Sequence, residues 1–155
     1  MKSAAELMHT YLYEVAINER LDLIDEIAAS DLVDEANAIF GGPPGREGLK
    51  AHVRGFRKYV QDCRIDVHKI VGAAEVAMGW WSFEGLHVGP WLGKVATERS
   101  VTGTVFSHFD VQDGFVQRYR LYLNAEFSDA VAIFDTSRGR MPTLIEKRSP
   151  SVRSA

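Results

Sequence analysis

Asp66 and His68 stand two apart in an alternating run from Arg64 to Val71, so both side chains leave the same face of one strand. A carboxylate and an imidazole so related are two possible ligands for a divalent cation. No third ligand can be placed beside them, and no metal is expected. The single cysteine, Cys63, excludes an intrachain disulfide and a multi-cysteine metal site. At the start of a strand it reads as a small buried hydrophobe. No Gly-rich loop of the form a nucleotide needs joins a strand to a helix, so no cofactor is expected. Chemistry here must come from acid/base side chains placed in a dry cavity.

Positioning such groups requires a folded scaffold, and 155 residues suffice for one domain with a real core. A net charge of −3 argues against a general nucleic-acid binder, which carries a basic surplus. No apolar run is long enough to span a membrane, and the N-terminus lacks the layout of a signal peptide, so a cytoplasmic protein is expected.

In chain order, Leu7, Met8, Tyr11, Leu12 and Val15 make one apolar stripe of a helix from about Ala4 to Asn18. A short second helix follows, with Leu23, Ile24, Ile27 and Ala28 inward and Asp22, Asp25 and Glu26 outward. Asp31 to Phe40 reads as one strand or an extended loop. Gly41-Gly42-Pro43-Pro44-Gly45 is a firm break. A third helix then carries Leu49, Val53, Phe56 and Val60 inward. Its Arg46, Lys50, Arg54, Arg57 and Lys58 read as a solvated face. Strands are expected at Arg64 to Val71, Ala74 to Glu84, Arg99 to Val111 and Phe115 to Asn124, the last two split by the Asp113-Gly114 turn signal. Trp80 and Trp81 are neighbours on a strand, so they cannot both line one pocket. Phe127, Val131, Ile133 and Phe134 are expected to form a short capping helix. The domain is taken as residues 1–135, with a mobile tail over 136–155.

Helices first and long antiparallel strands afterwards define an α+β arrangement. A strongly curved antiparallel sheet covered by three N-terminal helices encloses a conical hollow, and hollows of that kind host small ligands.

Gly85-Leu86-His87-Val88-Gly89, Gly93, Thr97-Glu98-Arg99, Thr102-Gly103, Asp113-Gly114 and Arg120 together resemble the SnoaL-like polyketide cyclases. Pro44-Gly45-Arg46-Glu47-Gly48-Leu49 resembles that family's entry to its third helix. The resemblance covers about residues 5–125. It implies the cone-shaped α+β barrel of nuclear-transport-factor-2-like and ketosteroid-isomerase-like proteins. Three positions depart from the family: Val95-Ala96 replaces paired prolines, and Ser107 stands at a histidine position, with His108 on the opposite face. Leu121 stands where the family carries its catalytic aspartate, seven residues beyond the glycine of Asp-Gly. A leucine cannot exchange a proton, so the family mechanism does not carry over by that route.

The family register turns Tyr119, Leu121 and Leu123 into the hollow, facing Val105 and Ser107, with Leu12, Phe56 and Trp81 as further walls. Tyr119 is then either a hydrogen-bond donor to a carbonyl or enolate, or a packed core tyrosine. Asp34, beside Glu35, lies where ketosteroid isomerase places its base; it is either a base raised by apolar walls or part of an exposed acidic loop. His87, within the recognised motif, is either an acid/base group or a pin for the adjoining loop. The polar face, with Arg118, Arg120, Tyr122 and Asn124 opposite Thr104, His108 and Asp110, suits a homodimer through the sheet. Two functions stay open. One is a cofactor-free cyclase or isomerase acting on a hydrophobic, polyketide-like carbonyl compound. The other is a non-catalytic small-molecule-binding or dimerisation module that has lost the acid.

Overall fold

Strict alternation over long stretches gives this chain long strands. In β4 (Ser100–Gln112) Val101, Gly103, Val105, Ser107, Phe109 and Val111 are buried, while the residues between them are exposed or half-buried. β5 (Phe115–Glu126) repeats the pattern from Tyr119 through Leu121 and Leu123 to Ala125, and Val116 turns inward on the other side of a register irregularity. Asp113 and Gly114 both take positive φ, 52° and 80°, as a tight hairpin between twisted strands requires. The computed structural model, which describes residues 1–148, joins these strands to β2 (Val60–Ala73), β3 (Val76–His87), β6 (Ala130–Asp135) and β7 (Thr143–Glu146). Pairing runs β2-β3-β4-β5-β6-β7, antiparallel throughout, and β1 (Ala28–Asp34) pairs parallel to β5. Irregularities between Gln61 and Arg64, Val67 and Lys69, and Asp110 and Val111 bend the sheet, as extra residues in one strand of a pair do.

Helices cover the concave face. α1 (Ala4–His9) starts on a capping box: Ser3 Oγ accepts from Glu6 N at 3.2 Å, and Glu6 Oε2 accepts from Ser3 N at 2.8 Å. It continues over Thr10–Ile17 with wider, five-residue hydrogen bonding, ending at Asn18 N to Tyr13 O. The sheet meets this helix at Gly79, where a Cβ would lie 2.7 Å from Leu12 Cδ1, so any larger residue would push that enclosed side chain aside. α2 (Ile24–Ile27) is brief, α3 (Glu35–Ile39) follows β1, and α4 (Gly45–Tyr59) buries Leu49, Val53 and Phe56. Leu7, Met8, Leu12, Ile24, Ile27, Leu49 and Phe109 are completely enclosed. Each such side chain contributes roughly 1.5–3 kcal/mol by leaving water. Among the described residues no helix is long and apolar enough to cross a membrane.

Five expectations need correction. Ala28 opens β1 rather than closing the second helix, which is four residues long. The stretch from Asp31 to Phe40 is divided: β1 ends at Asp34, and Asp34 caps α3 by accepting from Asn37 N at 3.2 Å. Phe127 to Phe134 forms no capping helix; Ala130, Ala132 and Phe134 turn inward at a period of two, and β6 pairs along β5. Beyond the expected boundary at 135, Thr136–Arg138 make a 3-10 turn and β7 pairs with β6. The remainder of the expected tail, residues 149–155, lies outside the described residues. Cys63 is half-buried against the core rather than within it.

Candidate active site

Between α4, α3 and the concave sheet lies a chamber of about 510 Å³. β5 contributes Tyr119, Leu121 and Leu123, β4 contributes Val105, and β3 contributes Trp81. Phe56 and His52 reach in from α4, Tyr11 from the first helical stretch, and Trp91 and Leu92 from the loop after β3. Among the described residues, no lysine or arginine lines the chamber. Apart from a few groups, the walls are aromatic and aliphatic.

Those few groups are arranged in two sets. Asp34 is buried to 4% exposure at the end of β1, and its Oδ2 lies 2.7 Å from His52 Nδ1. Its Oδ1 accepts the backbone N–H of Asn37, so both carboxylate oxygens are engaged. His52 keeps 23% of its side chain exposed and lines the chamber. With Nδ1–H donated to the carboxylate, the neutral ring carries its lone pair on Nε2. Burial works to lower the His52 pKa, but the charge and hydrogen bond of Asp34 outweigh it and hold the imidazole above its ordinary value. His52 stacks on Tyr119, ring centroids 5.8 Å apart and planes 22° apart.

Tyr119 heads the second set. Trp81 Nε1 donates to Ser107 Oγ at 3.1 Å, and Ser107 Oγ lies 2.8 Å from Tyr119 Oη. Tyr11 packs edge-on against Tyr119 at 5.3 Å. Burial pushes the Tyr119 phenol well above its usual pKa, so its proton stays on oxygen throughout the physiological range. The Tyr11 phenol is also raised, by burial first and then by the neighbouring Tyr119.

Residues singled out from the sequence therefore divide. Asp34, Tyr119, Phe56, Trp81, Val105, Leu121 and Leu123 gather around the chamber, with Asp34 behind His52. Ser107 is enclosed one layer behind the wall, touching it through Tyr119 and Trp81. Leu12 does not line the chamber: it is spent under Gly79 in the core between α1 and the sheet. Glu35 points away from Asp34 to Arg118 at 2.9 Å and Arg120 at 3.5 Å. Trp80 lies outside, 43% exposed and stacked on Phe106.

His87 also falls outside the chamber lining. It is wholly buried, its ring 4.8 Å from Phe127, and its Nδ1 accepts the backbone N–H of Thr97 at 3.1 Å. Its backbone pairs with Arg99 and Glu98. Burial lowers its pKa, so it is the neutral clasp of the loop between β3 and β4. His87→Ala should cost about 2–4 kcal/mol of stability, from the void and the orphaned Thr97 N–H. A thermal melt would read this. A variant as stable as the parent would contradict the clasp.

His52 went unnoticed in the sequence, although Leu49, His52, Phe56 and Tyr59 recur at three- and four-residue steps along α4. That periodicity was the signal available. Among the described residues, no three His, Cys, Asp or Glu side chains gather as metal ligands would.

A curved antiparallel sheet with N-terminal helices over its hollow is the nuclear-transport-factor-2-like architecture. A 22%-identical structure, TsrD from Streptomyces laurentii, superposes with a TM-score of 0.67 over 79% of this chain and 90% of that one. A SnoaL-like polyketide cyclase from Agrobacterium tumefaciens gives 0.66 at 15% identity, covering 79% and 92%. Wild-type IdmH from Streptomyces antibioticus gives 0.62 at 21% identity, covering 79% and 92%. At such identities these likenesses establish the fold. The family pattern described as SnoaL-like polyketide cyclase matches residues 6–125, and the chain belongs to that family. No curated protein matches it significantly.

Proposed function

We propose that this chain is a cofactor-free enzyme of the cyclase or isomerase type that moves a proton on a hydrophobic carbonyl compound. One observation carries the reading: a histidine tied to a buried carboxylate at 2.7 Å on the wall of an otherwise apolar chamber. Asp34 holds the tautomer in which Nε2 of His52 is the free base, and that nitrogen takes a proton from carbon next to a carbonyl. Negative charge then develops on the carbonyl oxygen. Ser107 Oγ accepts from the Trp81 indole, and either hydroxyl can donate in its bond to Tyr119; with Ser107 donating to Tyr119 Oη, the phenolic O–H is free to donate to that oxygen. The imidazolium formed returns its proton to a different carbon to complete an isomerisation; in a ring closure the enolate carbon instead bonds to a second carbonyl carbon of the same substrate, whose C=O π bond breaks, and the new alkoxide takes that proton. The dry walls strengthen each of these interactions.

Leu121 supports a second reading, since it lines the chamber where the family's catalytic aspartate stands. On that reading the chamber binds a small molecule without changing it. Ring opening of 5-nitrobenzisoxazole, which begins with removal of one C–H proton by a base, separates the two. Acceleration that depends on His52 supports the enzyme; binding without acceleration supports the module.

Two copies are proposed to pair through the outer sheet face, where Met78, Trp80, Phe106 and Tyr122 are each about two-fifths exposed. Sedimentation should give twice the monomer mass, and Trp80→Glu should halve it. A parent that sediments as a monomer would contradict the pairing.

A further inference from the structure

The family match ends at residue 125, yet the chamber wall does not. Phe134 and Met141, both beyond that boundary, line the same chamber as His52 and Tyr119. Phe134 is buried and lies edge-on to Phe40 at 5.6 Å. Met141 is 50% exposed and Phe40 44%, which places both at the opening rather than in the depths.

The segment carrying Met141 is fastened at both ends. At Thr136 the hydroxyl accepts from Leu121 N at 3.0 Å, and its proton is within reach of Leu121 O or Glu35 Oε1, each at 3.2 Å. Glu35 follows Asp34 directly and is held by Arg118, so the strap is tied to the strand end that carries the dyad's carboxylate. Asp135 fixes the turn by accepting from Ser137 N at 3.1 Å and Ser137 Oγ at 2.6 Å. Gly139, in the left-handed region at φ 66°, reverses the chain, and Thr143 then pairs with Ile133. Met141 thus stands in a short span between two anchored points.

We propose that this strap is a specificity element, and that Met141 sets which apolar ring systems the chamber admits. A thioether side chain at the opening covers a small ring and obstructs a longer one. The proposal rests on the chamber being the substrate site. It is independent of whether His52 acts as a base there.

Two fluorescent alcohols of different length, 2-naphthol and 9-anthracenemethanol, provide the test by fluorescence anisotropy. Met141→Ala should weaken 2-naphthol and strengthen 9-anthracenemethanol, moving the ratio of their dissociation constants by about fivefold or more. Met141→Leu, which keeps the volume, should restore the parent ratio. If both alcohols bind and Met141→Ala leaves their ratio unchanged, Met141 does not set specificity, while the His52 assay is untouched. If neither binds the parent protein, the chamber is not a ligand site and this inference falls with it.

Discussion

His52→Gln should lower the rate of 5-nitrobenzisoxazole ring opening by about 10²–10⁴-fold, the usual worth of a positioned acid/base group. Glutamine is close in size and can still donate to Asp34 Oδ2, so the carboxylate is not stranded. The variant loses only the basic Nε2. Circular dichroism and the melting temperature should stay near those of the parent, because His52 sits at the chamber wall with a quarter of its side chain exposed rather than inside the packed core. Tyr119, 5.8 Å away by ring centroid, cannot substitute for it, since burial keeps the phenol protonated. A variant that retains full rate would move the base elsewhere.

Asp34→Asn should act through His52 rather than on substrate. In the parent, burial alone would lower the imidazole pKa, and the adjacent carboxylate reverses that sign. Removing the charge leaves burial unopposed, so the His52 pKa should fall below the ordinary value of about 6.5. Two consequences follow. The rising limb of the pH–rate profile should shift to lower pH, and the maximal rate should fall about 10–10²-fold, because a weaker base abstracts a proton more slowly and the amide no longer selects one tautomer. Stability should change with pH in a defined direction. A raised histidine pKa stabilises the fold fully below the unfolded value and loses that contribution as pH rises through the folded value. The parent should therefore be favoured over Asp34→Asn most in mild acid, above carboxylate titration, and the gap should narrow toward alkaline pH. A gap that widens as pH rises would contradict the pairing.

Much of the chamber was legible because strands have a period of two. Once Leu121 is assigned inward, Tyr119, Leu123, Val105 and Ser107 follow, and Trp80 separates from Trp81 without any knowledge of tertiary contacts. What sequence cannot supply is the meeting of distant elements. Asp34 and His52 are eighteen residues apart, on β1 and α4, with the Gly-Pro break between them. His52 also stands among the charges of α4, where a basic helix face masks one imidazole belonging to the apolar stripe. His87 misled for the opposite reason: a motif histidine looks chemical, yet its imidazole clasps Thr97. β6 resembled a helix because Phe127, Val131 and Phe134 fall at steps of four and three. Ala130 and Ala132 are too small to announce the competing alternation, and pairing with β5 decides it.

Nitrogen-15 spectra of the His52 ring across a pH titration test the central claim most directly. The neutral ring is expected to be protonated on Nδ1 and bare on Nε2, with a titration midpoint above 6.5 that falls in Asp34→Asn. A neutral ring protonated on Nε2, or a midpoint indifferent to Asp34, would contradict it.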